Sequence, residues 1–328
     1  MMKKLKLLLL LFAVIIASSC ERQPLIYGRW HDLKVVVDWT DFGVPPTGMT
    51  LFFYHEDGSN IVAFSSNDVD STTVRLKEGK YNVLLINLSP AEFGAIGFDK
   101  MNSYETAQAY IDKTLSSWYN YNGNSQVAKI PEKFGVARYE WIEVLGLPNE
   151  KLEMKPKCKV YTNYVMIRIE GFHNARSVRG AMRDMSGTYS MREDTVTSDK
   201  ITHLIENWKL VADSLDKTRG YVWGSFKTFG PESIGSNVNP SDVQLDVSFL
   251  LVDNKTVENY TFNVGDRIKR YQNQMILTLD IGITHTGGNR PEDNPVILPD
   301  VNPIWNNGGG FDVNVDNWGD NIIDIPIP

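Results

Sequence analysis

The sequence of 328 residues is poor in the side chains that most enzymes and metal sites use. It has two cysteines, and its five histidines are dispersed, with no HExxH or other two-histidine spacing typical of a zinc enzyme. It also lacks a nucleophile elbow, a phosphate-cradling glycine loop and a dinucleotide fingerprint. We therefore expect no enzymatic activity, no cofactor and no metal site.

The chain also lacks an excess of basic residues and a long apolar run. Its net charge of −7 and pI near 5.3 argue against binding to nucleic acid and against electrostatic attraction to an anionic membrane surface. The apolar run Leu7–Ala17 is 11 residues long, whereas a membrane-spanning helix needs roughly 20. This run therefore predicts an export signal, not a permanent anchor.

The N-terminal segment ends at Cys20. Lysines at positions 3, 4 and 6 precede the apolar run, and small residues at positions 17 to 19 come directly before the cysteine. This order resembles the lipobox of bacterial lipoproteins, although Ala17 stands where leucine is commonest. The resemblance implies a signal peptide over residues 1–19, cleavage before Cys20, acylation of Cys20 by chains such as palmitate, and a tether over residues 20–30. Two or three acyl chains would hold the protein on a membrane.

The second cysteine, Cys158, has no partner for an intramolecular disulfide if Cys20 is acylated. It lies between Lys157 and Lys159, which would favour a reactive thiolate. It also opens a strand-like run, where a small, half-buried thiol is common. We expect a structural role for Cys158.

The rest of the chain predicts an all-β fold with one or two minor helices. About 308 residues remain after signal cleavage, a length that suits two domains and a tail. We place the domains at residues 31–150 and 151–286, with a Gly/Asn/Pro-rich tail at 287–328. Runs rich in β-branched and aromatic residues, separated by turn residues, predict strands at 33–39, 49–54, 61–64 and 81–87, then at 160–169, 181–191, 220–229, 243–252, 256–264 and 275–284. Residues 253–255, Asp-Asn-Lys, predict a hairpin between two of these strands.

Helical periodicity occurs in one segment of the first domain. Ser103 is a predicted N-cap, and apolar residues follow at spacings of three and four from Tyr104 to Trp118. This pattern predicts an amphipathic helix that covers the first sandwich. Residues 201–215 fit either a helix or a pair of short strands.

Aromatic residues are concentrated just after the predicted helix, at Trp118, Tyr119 and Tyr121. Packing at the helix end is the simpler interpretation of these rings. An exposed, coplanar aromatic platform would instead indicate a glycan-binding surface lipoprotein, which is our alternative prediction for function.

The tail ends in a predicted strand that follows Gly308–Gly310. Phe311, Val313 and Val315 alternate with polar residues, and Trp318 follows. The alternating oxygen side chains from residue 312 onward superficially match a calcium loop, but the glycine and glutamate that an EF-hand requires are absent. An edge strand explains the alternation better.

Three segments resemble fimbrillin-type lipoproteins of Gram-negative gut and oral anaerobes, especially their minor anchor and accessory subunits. They are the Glu-Gly-x-Tyr turn within residues 77–83, residues 178–187, and the pair 249–253 and 260–264. The resemblance implies two tandem transthyretin-like Greek-key β-sandwich domains and a lipid anchor in the outer membrane at the cell surface. It further implies association with type V pilus subunits by strand addition. The strand with Phe311, Val313, Val315 and Trp318 would then be a donor strand or, as we expect for an anchor, would complete its own domain.

Overall fold

The chain is all-β in its described part, as the sequence predicts. The computed structural model describes residues 29–58, 61–235, 237–271, 274–282 and 290–304. In this part of the chain the helical elements are four three-residue 3-10 turns, at Pro90–Glu92, Phe172–Asn174, Pro240–Asp242 and Pro291–Asp293. None of the helices found there is long and apolar enough to cross a membrane.

Strands follow one another along the described residues with few long interruptions. In chain order they are β1 (Trp30–Val37), β2 (Met49–His55), β3 (Ile61–Ser66), β4 (Ser71–Lys77), β5 (Gly79–Asn87), β6 (Ile96–Asp99), β7 (Gln108–Ile111), β8 (Lys113–Leu115), β9 (Gln126–Ala128), β10 (Gly135–Val144), β11 (Lys151–Met154) and β12 (Lys157–Cys158). They continue with β13 (Tyr161–Glu170), β14 (Ala175–Ser186), β15 (Thr188–Ser190), β16 (Thr195–Val196), β17 (Lys200–Ala212), β18 (Arg219–Thr228), β19 (Gln244–Leu251), β20 (Val257–Asn263), β21 (Lys269–Arg270), β22 (Ile276–Ile281) and β23 (Val296–Ile297).

The chain divides into two compact units whose segments alternate along the sequence. Unit 1 comprises Met1–Ala109, Lys133–Lys159 and Ser190–Asp194, and unit 2 comprises Tyr110–Glu132, Val160–Tyr189 and Thr195–Pro328. The sequence prediction placed one boundary after residue 150, which falls inside the second segment of unit 1. Residues 110–132, which that prediction included in the first domain, belong to unit 2.

Unit 1 contains two sheets. One has the strand order β11-β1-β4, with β1 and β11 parallel, and the other has the order β12-β10-β5-β2-β3. In β1 the apolar residues Leu33, Val35 and Val37 are buried and alternate with more exposed ones, as expected for a strand with one face on a core. The central strand β5 is instead buried continuously from Tyr81 to Asn87, because β10 and β2 flank it and both of its faces are covered. Cys158 is buried in β12 opposite Gly135.

Unit 2 is built on one continuous path of strands, β20-β19-β14-β17-β18-β13-β22-β21, with β23 beside β13. Strand β17 belongs to two layers, because its first half pairs with β14 and its second half pairs with β18. Asn207 lies at the change of partner with a φ of 55°, a left-handed conformation that asparagine adopts more readily than most residues. This bend lets one strand join the two layers that enclose the core.

The core of unit 2 comes from strands with an alternating pattern. In β19, Leu245, Val247, Phe249 and Leu251 point inward and are almost fully buried. The turn that follows is the predicted hairpin at residues 253–255, in which the Asp253 carboxylate accepts hydrogen bonds from two backbone N–H groups. Its two strands, β19 and β20, pair as the sequence predicts.

The predicted helix from Ser103 to Trp118 is wrong. The segment forms turns, then β7 and β8. Tyr104 and Ala107 are buried at helical spacing, but Ala109 and Ile111 are buried too, and the last three of these positions follow a period of two. Positions 104, 107 and 111 thus fit the spacing of a helix, and positions 107, 109 and 111 fit the spacing of a strand. The end of the segment is a strand. Residues 201–215, which allowed two interpretations, lie mostly in the single long strand β17.

Candidate functional site

The predicted lipidation and tail residues fall outside the described part of the chain. Cys20 precedes the first described residue, Arg29, and the predicted terminal strand with Phe311, Val313, Val315 and Trp318 follows the last, Ile304. The candidate sites described below therefore come from the two units themselves.

The predicted aromatic cluster is part of a polar network centred on Asp246 in unit 2. The Asp246 carboxylate accepts hydrogen bonds from Arg183 Nε at 2.6 Å and from Arg183 Nη2 at 3.1 Å, which is a bidentate ion pair. It also accepts from the Tyr119 hydroxyl at 3.0 Å and from the Thr261 hydroxyl at 2.8 Å. Each of its two oxygens has two donors, so the carboxylate has no unused acceptor capacity for a ligand.

The aromatic rings pack against arginines of strand β14. The guanidinium carbon of Arg183 lies 3.9 Å from the Tyr121 ring centroid, and that of Arg179 lies 5.6 Å from the Trp118 ring centroid. These are cation–π distances. Tyr119 is buried beside Val127 and Ala181. The rings of Trp118, Tyr119 and Tyr121 thus fix the loop between β8 and β9 to the sheet of unit 2.

Burial raises the pKa of Tyr119, and the negative charge of the nearby Asp246 carboxylate raises it further. The phenol therefore remains a neutral hydrogen-bond donor across the physiological pH range. Among the described residues, the base that Tyr119 contacts is the Asp246 carboxylate, which Arg183 holds in an ion pair. The network fixes the loop to the sheet.

The cluster does not provide the flat platform that a sugar site requires. The Trp118 and Tyr119 rings lie 5.7 Å apart with an interplanar angle of 81°, and Tyr119 is buried. The helix-end packing predicted from the sequence is also wrong, because the rings follow a strand and not a helix. Sequence reasoning missed the partner Asp246, which lies 127 positions from Tyr119 and carries no local motif.

The strand edges differ in how well they are protected against pairing with another chain. Six strands lie at the ends of the three sheets described above: β11 and β4, β12 and β3, β20 and β21. Natural proteins protect such edges with charged residues or with very short strands. Five of these six strands have charged residues, and two of the five are only two residues long; the charged residues are Arg75 and Lys77 in β4, Lys151 and Glu153 in β11, Lys157 in β12, Glu258 in β20, and Lys269 and Arg270 in β21.

Strand β3 is the exception among these six strands. Its sequence from Ile61 to Ser66 has neither a charge nor a proline, and among the described residues β2 is its one ladder partner. Alternate side chains, including Ile61 and Ala63, are exposed. An uncharged six-residue strand at the end of a sheet is the kind of edge that can template strand addition.

Strand β10 contains a bulge that presents aromatic residues. The register with β5 shifts between Tyr139 and Ile142, and Trp141 has a φ of 59°, which is rare for a bulky side chain. The Asn82 side-chain oxygen accepts the Trp141 N–H at 3.0 Å and so holds the bulge. Tyr139 and Trp141 are about half exposed. No sequence pattern predicts a tryptophan in this conformation.

Two solved structures are similar to this chain over most of its length. An adhesin candidate from Bacteroides ovatus matches with a TM-score of 0.57 and 16% identity, covering 86% of this chain and 98% of that one. The fimbrial anchor protein Mfa2 from Porphyromonas gingivalis matches with a TM-score of 0.50 and 12% identity, covering 82% of this chain and 95% of that one. The resemblance predicted from the sequence is thus confirmed at the level of the fold.

Sequence comparison places the chain in a family. No curated protein matches it. A family described as a domain of unknown function, DUF5119, matches residues 19–206, which is more than half of the chain. The chain therefore belongs to the DUF5119 family.

Proposed function

We propose that this protein is a lipid-anchored structural and adhesion protein of the cell surface, an anchor or accessory subunit of a type V pilus. The observation that carries the proposal is the shared fold with a fimbrial anchor protein over 95% of that anchor's length. The lipobox-like segment that ends at Cys20 supports a lipid anchor in the outer membrane. The protein has no enzymatic role in this proposal.

The anchoring half of the proposal is tested at Cys20. We expect the wild-type chain, expressed in a Gram-negative host, to carry acyl mass and to partition into the membrane. The Cys20→Ala variant should lack the acyl mass and should be soluble after export, because two or three acyl chains are what hold the protein. Intact-mass measurement and membrane fractionation give the result. If both proteins are soluble and unmodified, the anchoring role is wrong.

The assembly half of the proposal concerns strand β3. A pilus subunit that offers an extended strand would add it to the unprotected edge of β3, through backbone hydrogen bonds. Ala63 is exposed in the middle of this strand, so a lysine there adds the kind of charge that the other five end strands named above carry. Ala63→Lys should leave the thermal midpoint almost unchanged, because surface substitutions usually alter stability by about 0.5 kcal/mol or less.

The same variant should sharply reduce the amount of pilus subunit that co-purifies with the protein. Val257→Lys is the matched control, because it adds the same charge to β20, an edge that already has Glu258. The control should retain co-purification. Equal retention by both variants would show that subunits do not assemble on β3.

A further inference from the structure

Three exposed apolar residues of unit 1 lie where β1 begins and β10 ends. Trp30 at the start of β1 is 51% exposed, and Leu145 and Leu147, just after β10, are 45% and 59% exposed. Single exposed apolar residues are ordinary on protein surfaces, whereas a group of them indicates an interaction surface. We call Trp30, Leu145 and Leu147 the apolar end of unit 1.

Backbone contacts connect the two segments that hold these residues to the same turn. The Glu78 N–H donates to the carbonyl of Arg29, the residue before Trp30, at 2.9 Å. Gly79 pairs with Val144, the residue before Leu145, in the ladder of β5 and β10. The turn at Glu78 and Gly79 therefore lies between the backbone near Trp30 and the start of the loop at residues 145–150, which we call the leucine loop.

The leucine loop is held firmly in this position. The Glu150 carboxylate accepts the Leu145 N–H at 3.1 Å and the Gly146 N–H at 3.0 Å. The backbone of Gly146 also lies so close to the His31 ring that a β-carbon there would collide with it. Polar contacts of their own loop thus keep Leu145 and Leu147 at the surface, although exposing their apolar side chains to water is unfavourable.

The position of the apolar end in the sequence indicates what covers it. Trp30 is ten residues after Cys20. A chain of ten residues spans at most about 35 Å when fully extended, which is close to the thickness of a bilayer core. A lipid on Cys20 would therefore keep Trp30 within about 35 Å of the membrane surface.

We propose that the apolar end of unit 1 is a membrane-contact surface, in which Trp30, Leu145 and Leu147 enter the interface of the bilayer to which Cys20 is attached. The proposal rests on the lipid anchor proposed above. Its effect is to fix the orientation of unit 1 against the membrane, because the acyl chains already supply the affinity.

The chemistry of the surrounding residues suits a lipid interface. Tryptophan is enriched where its ring can lie at the level of the headgroups. The Lys77 ammonium lies 5.6 Å from the Trp30 ring centroid, and a second cationic residue, Arg29, is exposed one position before Trp30. They are placed to contact headgroup phosphates while the apolar side chains go deeper.

The test uses the lipidated full-length protein on vesicles of phosphatidylethanolamine and phosphatidylglycerol. A nitroxide is attached to Leu147→Cys in one variant, to Trp30→Cys in a second, and to Val44→Cys as a control. Val44 is also an exposed apolar residue of unit 1, at 73%, but it lies in a different loop. We expect the labels at positions 147 and 30 to lose accessibility to an aqueous relaxation agent when vesicles are added, and the label at position 44 to remain accessible.

Flotation of the vesicles separates the two proposals. If the protein floats but the labels at positions 147 and 30 are as accessible as the label at position 44, the contact surface is overturned and the lipid anchor stands. If the protein does not float, both proposals are overturned. If the labels are shielded before any vesicle is added, a protein covers the apolar end, and the membrane contact is again overturned.

Discussion

The two units of this protein differ in how their sheet edges and aromatic residues are held. In unit 2 the aromatic loop is fixed to the sheet by Arg183 and Asp246, and the end strands β20 and β21 have charged residues. Unit 1 leaves features open, with an uncharged edge at β3, a strained tryptophan in a bulge and an apolar end. Neither the edge nor the strain improves folding.

This difference indicates a division of labour between the units. A sandwich needs no unprotected edge for stability, since edges invite pairing with other chains. A protein that keeps one has a use for it, or tolerates a risk of aggregation. We infer that unit 1 makes the contacts with other molecules and that unit 2 is the more purely structural of the two.

The largest loss of stability is expected when Asp246 in unit 2 is replaced. Replacing Asp246 with alanine leaves Arg183 without its bidentate partner while its side chain remains almost fully buried. Breaking a buried ion pair in this way typically costs about 3–5 kcal/mol. We expect the unfolding of unit 2 to shift by this amount, and hydrogen exchange of β14 and β19 to report it.

Two further variants identify the cause of that loss. Glu170→Ala removes a carboxylate that lies 3.9 Å from Arg219 in an exposed pair, and it should change stability by about 1 kcal/mol or less. The double variant Arg183→Met with Asp246→Leu removes both charges and should recover most of the stability. A single Asp246→Ala change as mild as Glu170→Ala would show that the network does not fix the loop.

Sequence reasoning located most strands because their patterns are local. The alternation in β19 and the Asp-Asn turn after it are complete within a dozen residues, and both were confirmed. The helix predicted from Ser103 failed because buried positions at 104, 107 and 111 satisfy a helical period, while the additional burial of Ala109 becomes apparent only in the folded chain.

The candidate sites were less predictable because they depend on distant partners. Tyr119 was singled out as an aromatic residue, but its role depends on Asp246 and on Arg183, which are remote in sequence. The open edge of β3 is a property of strand order, which no local pattern contains. The lipobox-like order before Cys20, in contrast, is a local pattern, so the prediction of a lipid anchor needs no distant partner.

Acid should weaken unit 2 through His203. This side chain is buried, stacks on Phe226 with ring centroids 5.2 Å apart, and has its pKa lowered by burial to about 3. An unfolded histidine has a pKa near 6.5, so below that pH the unfolded state binds more protons and stability falls. The loss should reach roughly 2 kcal/mol at pH 5, since each pH unit below 6.5 contributes about 1.4 kcal/mol.

Unfolding curves at pH 7 and pH 5 measure this effect. In His203→Phe the ring stacking is preserved in kind but the titrating group is gone, so the part of the pH dependence that histidine contributes should disappear. An unchanged difference between the two pH values in this variant would assign the acid sensitivity to other groups.

Substitution of Trp141 in the strained bulge of unit 1 should change stability least. Whether stability rises or falls shows whether the tryptophan supports the fold. A left-handed residue other than glycine costs about 1–2 kcal/mol, and asparagine tolerates this conformation better than tryptophan. Trp141→Asn should therefore raise the stability of unit 1 by about 0.5–1 kcal/mol, because the half-exposed ring loses few contacts.

Asn149→Trp, at another exposed position of unit 1 with a φ of 63°, should lower stability by a similar amount. Thermal unfolding of both variants checks the pair. If Trp141→Asn destabilises the protein instead, the tryptophan supports the fold, and unit 1 would then resemble unit 2 more than we infer.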